Sequence, residues 1–326
     1  MPAPASTGEM AEPNRARARA GIAYGLGASL IWGGYIAVTY QGTGAGLDAA
    51  DLAFLRYAIA GLLLLPWLLR HDPLRLAGIG WRRGIVLAFL AGPPFVFIGA
   101  SGFAFAPLAH SAVIQLGAVT LMGIVLSAVI AHERQGRRRA AGLAVIVAGL
   151  AVIAGPGLLD GGSQVWKGDL MFFTAGTMWA LFTVFQRRWQ APALAATAVV
   201  SVLSGLVYAP LYLAWRGVSR LADVAPTVVL GQAVMLGVLS GVVALFAFGR
   251  TVEHLGPGRA SLFPALAPGV AILIGIPLAG TVPTAWQVTG LLVLSSGLLQ
   301  AIQASPRREP HRRETTACTR GCGGTR

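Results

Sequence analysis

The sequence has few carboxylates and no polar stretch long enough to form a soluble domain. Only 11% of its residues are charged, and 12 acidic residues stand against 25 basic ones. The acidic residues fall in loops, at the ends of apolar segments or in the two tails, so none stands in the middle of an apolar segment. Small proton-driven multidrug pumps typically hold a carboxylate there, so exchange of a lipophilic cation for a proton is disfavoured.

Groups that could carry out catalysis are also missing. No apolar segment holds a Ser/His/Asp set, paired carboxylates or a metal-binding cluster, so we expect no enzyme activity, no metal and no cofactor. The glycine-rich run YGLGAS lies inside an apolar segment with no strand before it, so it is not a phosphate loop. The two cysteines, Cys318 and Cys322, lie in the tail without adjacent histidines and are interpreted as free thiols.

Apolar residues dominate the chain. They make up 55% of it, and the mean hydropathy is +0.68, which excludes an ordinary soluble domain. A helix needs roughly 20 apolar residues to cross a bilayer, and lipid-facing backbone must be hydrogen-bonded internally. Ten segments meet this requirement as helices, near 20–39, 51–69, 84–104, 108–130, 140–155, 168–186, 194–215, 228–249, 259–280 and 285–303.

The chain contains two rough copies of one five-segment pattern, 21–154 and 168–303, offset by about 147 positions. Because five is odd, the second copy must enter the membrane the opposite way up, as in alternating-access carriers. The sequence therefore predicts an all-α polytopic membrane protein with ten transmembrane helices in two inverted five-helix repeats. The aligned pairs are Gly21 with Gly168, Trp32 with Trp179, Gly61 with Gly205, Pro66 with Pro210, Gly142 with Gly290 and Gly149 with Gly297.

The formal net charge of +13 is distributed unevenly between the two sides of the predicted membrane. With a cytoplasmic N-terminus, 21 basic residues fall on the cytoplasmic side, and only Lys167, Arg216 and Arg220 fall opposite. This asymmetry follows the positive-inside rule and predicts that both termini are cytoplasmic. The predicted protein has no soluble domain that could present a basic patch, so we expect no nucleic-acid partner. The preference for arginine over lysine indicates a bacterial gene and hence the inner membrane.

These observations divide the chain into five parts. The expected parts are a disordered cytoplasmic tail at 1–19, a first repeat at 20–155, an external linker at 156–167, a second repeat at 168–303 and a basic cytoplasmic tail at 304–326.

The stretch 130–153 resembles the end of the EamA repeat of drug/metabolite transporters. In that family a glutamate-arginine pair closes the fourth helix and two glycines follow in the fifth, as Glu133, Arg134, Gly142 and Gly149 do here. Similarities to the family also include the paired tryptophans, Trp32 and Trp179, and an early arginine in the second segment, Arg56. The second copy departs from the pattern, with Thr281 in place of the glutamate. The resemblance covers nearly all of 20–303 and implies a ten-helix transporter.

Polar and aromatic side chains inside the apolar segments are the candidates for a substrate cavity. Ser111, Gln115 and Thr120 come from the fourth segment, where four-residue spacing places Ser111 and Gln115 on one face. Arg56 could attract a carboxylate; alternatively it reaches the membrane interface or pairs with Asp51. The full predicted set is Trp32, Tyr35, Arg56, Ser111, Gln115, Thr120, Trp179, Thr183, Ser240 and Ser261, with Ser101 as an addition. His110 is either a proton-coupling group or an interfacial histidine with satisfied hydrogen bonds.

Small residues and prolines predict where helices touch or bend. Gly142 and Gly149, and Gly290 and Gly297, share one face of the fifth and tenth segments, which are expected to pack together as a scaffold or as the seam of a homodimer. Glu133 is given a structural role near its neighbouring arginines. Prolines interrupt the third segment at Pro93 and Pro94 and the ninth at Pro264, Pro268 and Pro277, so these two segments are expected to be bent.

The expected function is secondary transport of a small neutral or zwitterionic metabolite, such as an amino acid, by alternating access. The expected direction, export, rests on the family resemblance alone. An importer or facilitator of the same fold stays open, as does a non-transporting membrane scaffold or sensor. The expected partners are the lipid bilayer and a small-molecule substrate.

Overall fold

The computed structural model describes residues 11–130, 137–159, 164–217, 219–255, 260, 263–280 and 282–303. These residues form helices and no strand, which confirms the predicted fold class. Seven helices are long and apolar enough to cross a membrane, and shorter apolar helices cover Ala141–Ile153 and Ala267–Ala279. The ten hydrophobic helices are α1 (Ala11–Gly44), α2 (Ala49–Arg70), α3 (81–101), α4 (108–130), α5 (Arg137–Leu159), α6 (Val165–Arg188), α7 (Ala193–Arg216), α8 (Pro226–Leu255), α9 (263–279) and α10 (Ala285–Gln303).

Successive helices run in alternate directions, which gives the bundle two sides. We call the side on which α1 begins and α10 ends the near side, and the side on which α1 ends and α2 begins the far side. Contacts between loops support this assignment. The Arg220 guanidinium donates to the carbonyl of Gly46 (2.9 Å) on the far side, and the Arg83 guanidinium lies 5.7 Å from the Trp189 ring centroid on the near side.

Two predicted boundaries differ from the observed ones. Helix α1 begins at Ala11, although the tail was expected to be disordered through residue 19. Alanine and arginine, which alternate over 15–20, both favour helix, so the helix extends beyond the apolar segment. Helix α5 reaches Leu159 and α6 begins at Val165, so parts of the predicted linker 156–167 are helical. The tail 304–326 with both cysteines lies outside the described residues.

Helix packing follows a pseudo-two-fold relation between the repeats. Helix α5 packs along α10 and α2 along α7, and each of these pairs joins equivalent helices. Helix α1 packs on α8 and α9, and its equivalent α6 packs on α3 and α4. Helix α2 also packs on α8, as α7 does on α3. The two repeats are therefore interlocked rather than side by side.

Glycines allow the central helices to approach closely. A Cβ added at Gly61 would lie 2.7 Å from the Ser201 carbonyl oxygen, and one added at Gly205 would lie 2.6 Å from the Tyr57 carbonyl oxygen. Such distances are too short for a side chain, so the crossing of α2 and α7 requires glycine at both positions. The same applies where α5 meets α10, since a Cβ at Gly149 would lie 2.7 Å from the Leu294 nitrogen.

The glycine faces of α5 and α10 meet each other within one chain. A Cβ at Gly290 would collide with Ile153, and one at Gly297 would lie 2.9 Å from the Gly142 carbonyl oxygen. The structure thus uses all four predicted glycine positions as an internal scaffold, while a homodimer stays a prediction.

Four of the described helices depart from regular α geometry, and one of them, α9, begins with a 3-10 turn at Phe263–Leu266. Helix α3 stops at Ala91 and restarts at Pro93, in agreement with the proline pair in its sequence. Helices α4 and α8 contain π-helical segments, Ser111–Gln115 and Ala233–Val243. Such wider turns are frequently found at functional sites, and these two include the candidate residues Ser111, Gln115 and Ser240.

Candidate functional site

A cavity of about 740 Å³ opens on the far side between the ends of α1, α2, α3 and α9. We call it the far-side cavity. Its lining includes Tyr40, Gln41, Thr43, Asp48, Ser101, Phe103 and Ala279. Ser101, which was considered from the sequence, lines it, whereas the main predicted substrate residues that the structure describes do not. Those residues lie elsewhere in the bundle.

Arg56 is buried in the bundle, with 8% of its surface exposed. It follows the first residue of α2 by seven positions, which places it about 10 Å below the far-side end of that helix. Its guanidinium carbon lies 4.9 Å from the ring centroid of Tyr35 on α1 and 5.6 Å from that of Tyr57. Two predicted residues, Arg56 and Tyr35, are thus brought together as a cation–aromatic pair.

Arg56 has no ion-pair partner among the residues that the structure describes. The alternative pairing with Asp51 is wrong, because Asp51 accepts a hydrogen bond from the Tyr212 hydroxyl (2.7 Å) and lies near the arginines of α7 and the following loop. A buried guanidinium without a carboxylate is costly in a low-dielectric interior, so Arg56 is suited to a negatively charged ligand group.

The break in α3 helps to hold Arg56 in place. The hydroxyl of Tyr57, the next residue on α2, donates to the carbonyl of Ala91 at 2.6 Å. Ala91 is the last residue before the break, so the interrupted helix presents a carbonyl to α2. This contact fixes the orientation of α2 beside α3 one residue from the buried guanidinium.

The paired tryptophans occupy equivalent places in the two repeats. Trp32 packs against Phe248 of α8 with ring centroids 5.3 Å apart, and Trp179 packs against Phe95 of α3 at 5.2 Å. Both are half-buried, and Trp179 also contacts Phe182. The two tryptophans therefore act as equivalent aromatic contacts between α1 and α8 and between α6 and α3.

The polar residues of α4 lie at its interface with α3 and α6. The Ser111 hydroxyl lies 3.5 Å from the Gln115 side-chain oxygen, and the Gln115 amide faces Gly99 of α3. The Thr120 hydroxyl donates to the carbonyl of Leu116 on its own helix at 3.3 Å.

The remaining predicted residues are dispersed. Thr183 bonds within α6, and Ser240 is buried in the π-helical segment of α8. Ser261 and Glu133 lie outside the described residues, as does Thr281.

Sequence analysis missed Gln232 of α8, whose side chain is fully buried. Its amide nitrogen donates to the Val38 carbonyl at 2.5 Å and lies 3.4 Å from the side-chain oxygen of Gln41, a residue of the far-side cavity. Its side-chain oxygen has no hydrogen-bond partner within the described parts of the chain. The available signal was a lone amide inside an apolar segment, the same signal that identified Gln115.

Sequence analysis also underestimated the acidic residues at the helix ends. Asp51 is fully buried, and Asp169 on α6 is buried against His110 on α4. Within the described ranges, no three His, Cys, Asp or Glu side chains come together in a group that could hold a metal ion.

Comparison with known proteins gives a family and a fold. The model of the EamA-like transporter family matches residues 19–155 and again 166–302. The uncharacterized transporter YyaM of Bacillus subtilis (strain 168) is 23% identical over 190 residues, which span 57% of this chain and 62% of that protein. A solved crystal structure aligns with a TM-score of 0.59 at 18% identity and covers 88% of this chain and 98% of its own. This last likeness concerns the fold alone.

Proposed function

Because the chain belongs to the EamA-like transporter family, we propose that it is a secondary transporter that exports a small zwitterionic or neutral metabolite, such as an amino acid, by alternating access. The near side then faces the cytoplasm and the far side the exterior of a bacterial inner membrane, in keeping with the excess of basic residues on the near side.

The observation that carries the proposal is the buried guanidinium of Arg56. A solute carboxylate would supply the negative charge that Arg56 lacks and could form a bidentate pair with it. The aromatic face of Tyr35, already 4.9 Å from the guanidinium carbon, supports the same cation while the site is empty. An ammonium group on the solute could use nearby aromatic faces in the same way.

The far-side cavity provides the route from this site to the exterior. Its volume of about 740 Å³ is ample for an amino acid, and Ala49, one of its lining residues, lies roughly 10 Å above Arg56 along the helix axis. Tyr40 and Phe103 pack edge to face at 5.3 Å on the cavity wall, and Gln41 reaches from this wall towards Gln232. Tyr40, Gln41 and Phe103 line the cavity, and in the proposed mechanism they would separate the binding site from the exterior.

Counterflow in proteoliposomes tests this proposal. Purified protein would be reconstituted with pooled radiolabelled amino acids, and wild type compared with Arg56→Gln, Arg56→Lys and Arg83→Gln. Arg83 is exposed on the near side and serves as a matched control. We expect Arg56→Gln to reduce flux by about a hundredfold, because a charge-assisted pair contributes up to about 3 kcal/mol. Arg56→Lys should keep part of the flux, and Arg83→Gln nearly all of it.

Solute analogues separate the rival interpretations. Amino-acid amides, which lack the carboxylate, should not move through the wild type. Equal flux of acid and amide, or full activity of Arg56→Gln, would overturn the role of Arg56. Flux in the opposite direction under an imposed gradient would favour an importer. No flux of any solute from correctly folded protein would favour a scaffold or sensor.

A further inference from the structure

A histidine and an aspartate are buried together near the far-side ends of α4 and α6. His110 Nδ1 lies 2.8 Å from Asp169 Oδ1, and the two residues are 7% and 8% exposed. Because a carboxylate can only accept, Nδ1 carries the hydrogen and Nε2 remains the nitrogen that can take up a proton. The pair has a charge of −1 with a neutral imidazole and no net charge with an imidazolium.

The surroundings of the pair hold little compensating charge. Lys167 precedes Asp169 on α6, but its ammonium donates to Gln164 at 3.1 Å and lies 5.9 Å from the ring centroid of Phe105. Near the far-side end of α4, the only titratable side chain that the described part of α1 presents is the half-buried Tyr40. The described side chains of α5, α9, α10 and the 102–104 turn, which also pack near α4, include no titratable group.

One oxygen of the pair is left without a partner. Asp169 Oδ2 is buried and has no hydrogen bond among the described residues. Asp169 also lines an apolar crevice of about 460 Å³ with Ile114, Leu150 and Phe173. A negative charge in such surroundings is costly, and a proton on the imidazole removes the net charge.

The pair breaks the symmetry between the two repeats. The offset of 147 positions that relates Trp32 to Trp179 also relates Ile22 to Asp169. Ile22 is 46% exposed and cannot titrate. A proton-binding group at this place would thus belong to the α4–α6 contact and have no counterpart in the equivalent α9–α1 contact.

The pair also adjoins the candidate substrate residues. His110 directly precedes the π-helical segment Ser111–Gln115, whose extra residue allows α4 to shift locally without losing its helix. At the end of this segment the backbone of Gln115 contacts Gly176 of α6 so closely that no Cβ fits there. A change in the attraction between α4 and α6 at His110 would therefore also change the packing of Gln115 against α6.

We propose that His110 and Asp169 form the proton-binding site that couples solute movement to a proton gradient, an inference that rests on the proposed transport function. In the far-side-open state, one proton from the far side binds to Nε2 of His110, and the imidazolium and carboxylate then hold α4 against α6 as a neutral ion pair. Release of the same proton on the near side restores the charge of −1. Neither step needs a carboxylate in the middle of a span.

Proteoliposomes loaded with the pH dye pyranine and pooled radiolabelled amino acids test the coupling. The variants are His110→Gln and Asp169→Asn, with His71→Gln as the control at an exposed near-side histidine. We expect both site variants to lower the response of solute flux to a pH gradient by about tenfold, a typical coupling between two sites. Exchange of solute at equal pH needs no net proton movement and should stay close to wild type, and His71→Gln should behave as wild type.

The outcomes separate this inference from the function on which it rests. Wild-type transport with an unchanged pH response in both variants would overturn the proton site and leave the transporter intact. Absence of any solute flux in the wild type would instead contradict the proposed function. In that case, a measurement without solute would decide whether the pair binds a proton.

Nitrogen-15 NMR of the histidine rings in the detergent-solubilised full chain provides that solute-free measurement. The His110 signals are identified by their loss in His110→Gln. We expect the spectra to show both the neutral and the charged form of this ring as the pH is varied, and Asp169→Asn to change the balance between the two forms. A ring that keeps one charge state over the whole pH range in which the protein stays folded would overturn the proposal. Where His110→Gln folds poorly, the His110 signals are those that remain when each of the other histidines is replaced in turn, so the measurement still decides the matter.

Discussion

The two ends of the α2–α7 helix pair are related by the repeat, but one is held by polar contacts and the other by apolar packing. An offset of 144 residues relates Gly61 to Gly205 at the crossing, and it also relates Asp51 to Ala195 and Leu68 to Tyr212. On the far side Asp51 and Tyr212 form a buried hydrogen bond of 2.7 Å. On the near side the equivalent residues, Leu68 and Ala195, belong to the main apolar cluster.

The far-side end is held by directional contacts. The Asp48 carboxylate caps α2 by accepting from the backbone of Ala50 (2.9 Å) and Asp51, and the Asp51 carboxylate accepts from the backbone nitrogen of Asp48. Arg216 of α7 donates to Asp48, and its guanidinium lies 3.5 Å from Asp51. These bonds fix both the distance and the rotation between the two helices.

The near-side end is held by apolar packing, which has no preferred direction and tolerates sliding. An inverted repeat can thus keep the shape of a contact and change the kind of interaction that holds it. We expect the far-side end of this helix pair to be the more rigid and the near-side end to be the more easily displaced. Substitutions of individual residues test this difference.

The largest effect is expected from Asp51→Ala, which copies Ala195 onto the far-side end. It leaves the Tyr212 hydroxyl buried without its acceptor and removes a counter-charge from Arg216. Breaking a buried charged pair costs about 3–5 kcal/mol, so we expect a loss of that size in the free energy of unfolding in mixed detergent micelles. Hydrogen exchange by mass spectrometry should show lost protection at the far-side ends of α2 and α7 and unchanged protection at their near-side ends.

Two further variants test the cause of that loss. Glu253→Ala, which removes an exposed near-side carboxylate that forms a surface ion pair with Arg250, should change stability by less than about 1 kcal/mol. The double variant Asp51→Ala/Tyr212→Phe keeps the ring that stacks on Phe54 and leaves no unpaired hydroxyl, so it should be more stable than Asp51→Ala alone. A double variant as unstable as the single one would show that the polar bond is not what distinguishes the two ends.

A smaller effect is expected from Tyr212→Phe. This change keeps the ring, which stacks on Phe54 at 4.3 Å, and removes only the hydrogen bond to the Asp51 carboxylate. A hydrogen bond to a charged group contributes about 1.5–3 kcal/mol, which is the loss expected in the same unfolding measurement. Tyr208→Phe is the matched control, because its hydroxyl donates to a neutral carbonyl, that of Ala50, at 3.3 Å. Equal losses in the two variants would contradict a special role for the charged acceptor.

Sequence alone predicted the features of the fold that repeat. Apolar length predicted the helices, the proline pair predicted the break in α3, and aligned glycines such as Gly61 and Gly205 marked the helix crossings. These features are local, or they recur at a fixed offset, so they can be read without knowing which helices touch.

The contacts between polar side chains of different helices could not be predicted in this way. Asp51 meets Tyr212 from 161 positions away, and His110 meets Asp169 from 59. Their partners come from the packing of α2 on α7 and of α4 on α6, which no local pattern specifies. The expected pairing of Arg56 with Asp51 also failed for a geometric reason. Five residues of helix rotate a side chain by about 140°, so the two groups point to different faces of α2.

The smallest expected effect is a pH dependence confined to the far-side end. Burial alone would raise the pKa of Asp48, but hydrogen bonds from Arg216 and from the backbone of Asp51 and Ala50 outweigh it, so the pKa lies below its ordinary value of 3.8. Because the folded pKa is the lower one, the stabilisation is complete above pH 3.8 and is lost as the pH falls through the folded value.

The difference in thermal unfolding midpoint between wild type and Asp48→Asn should therefore be constant from pH 7 down to about 4 and shrink below that. The carboxylate is partly exposed, so the difference should be small and should weaken further in high salt. The near-side equivalent of Asp48 is Pro192, which cannot titrate. Hydrogen exchange at the near-side start of α7 should consequently be the same in both proteins at every pH. A difference between wild type and Asp48→Asn that grows as the pH falls, or that appears equally at both ends, would show that Asp48 does not fix the far-side end.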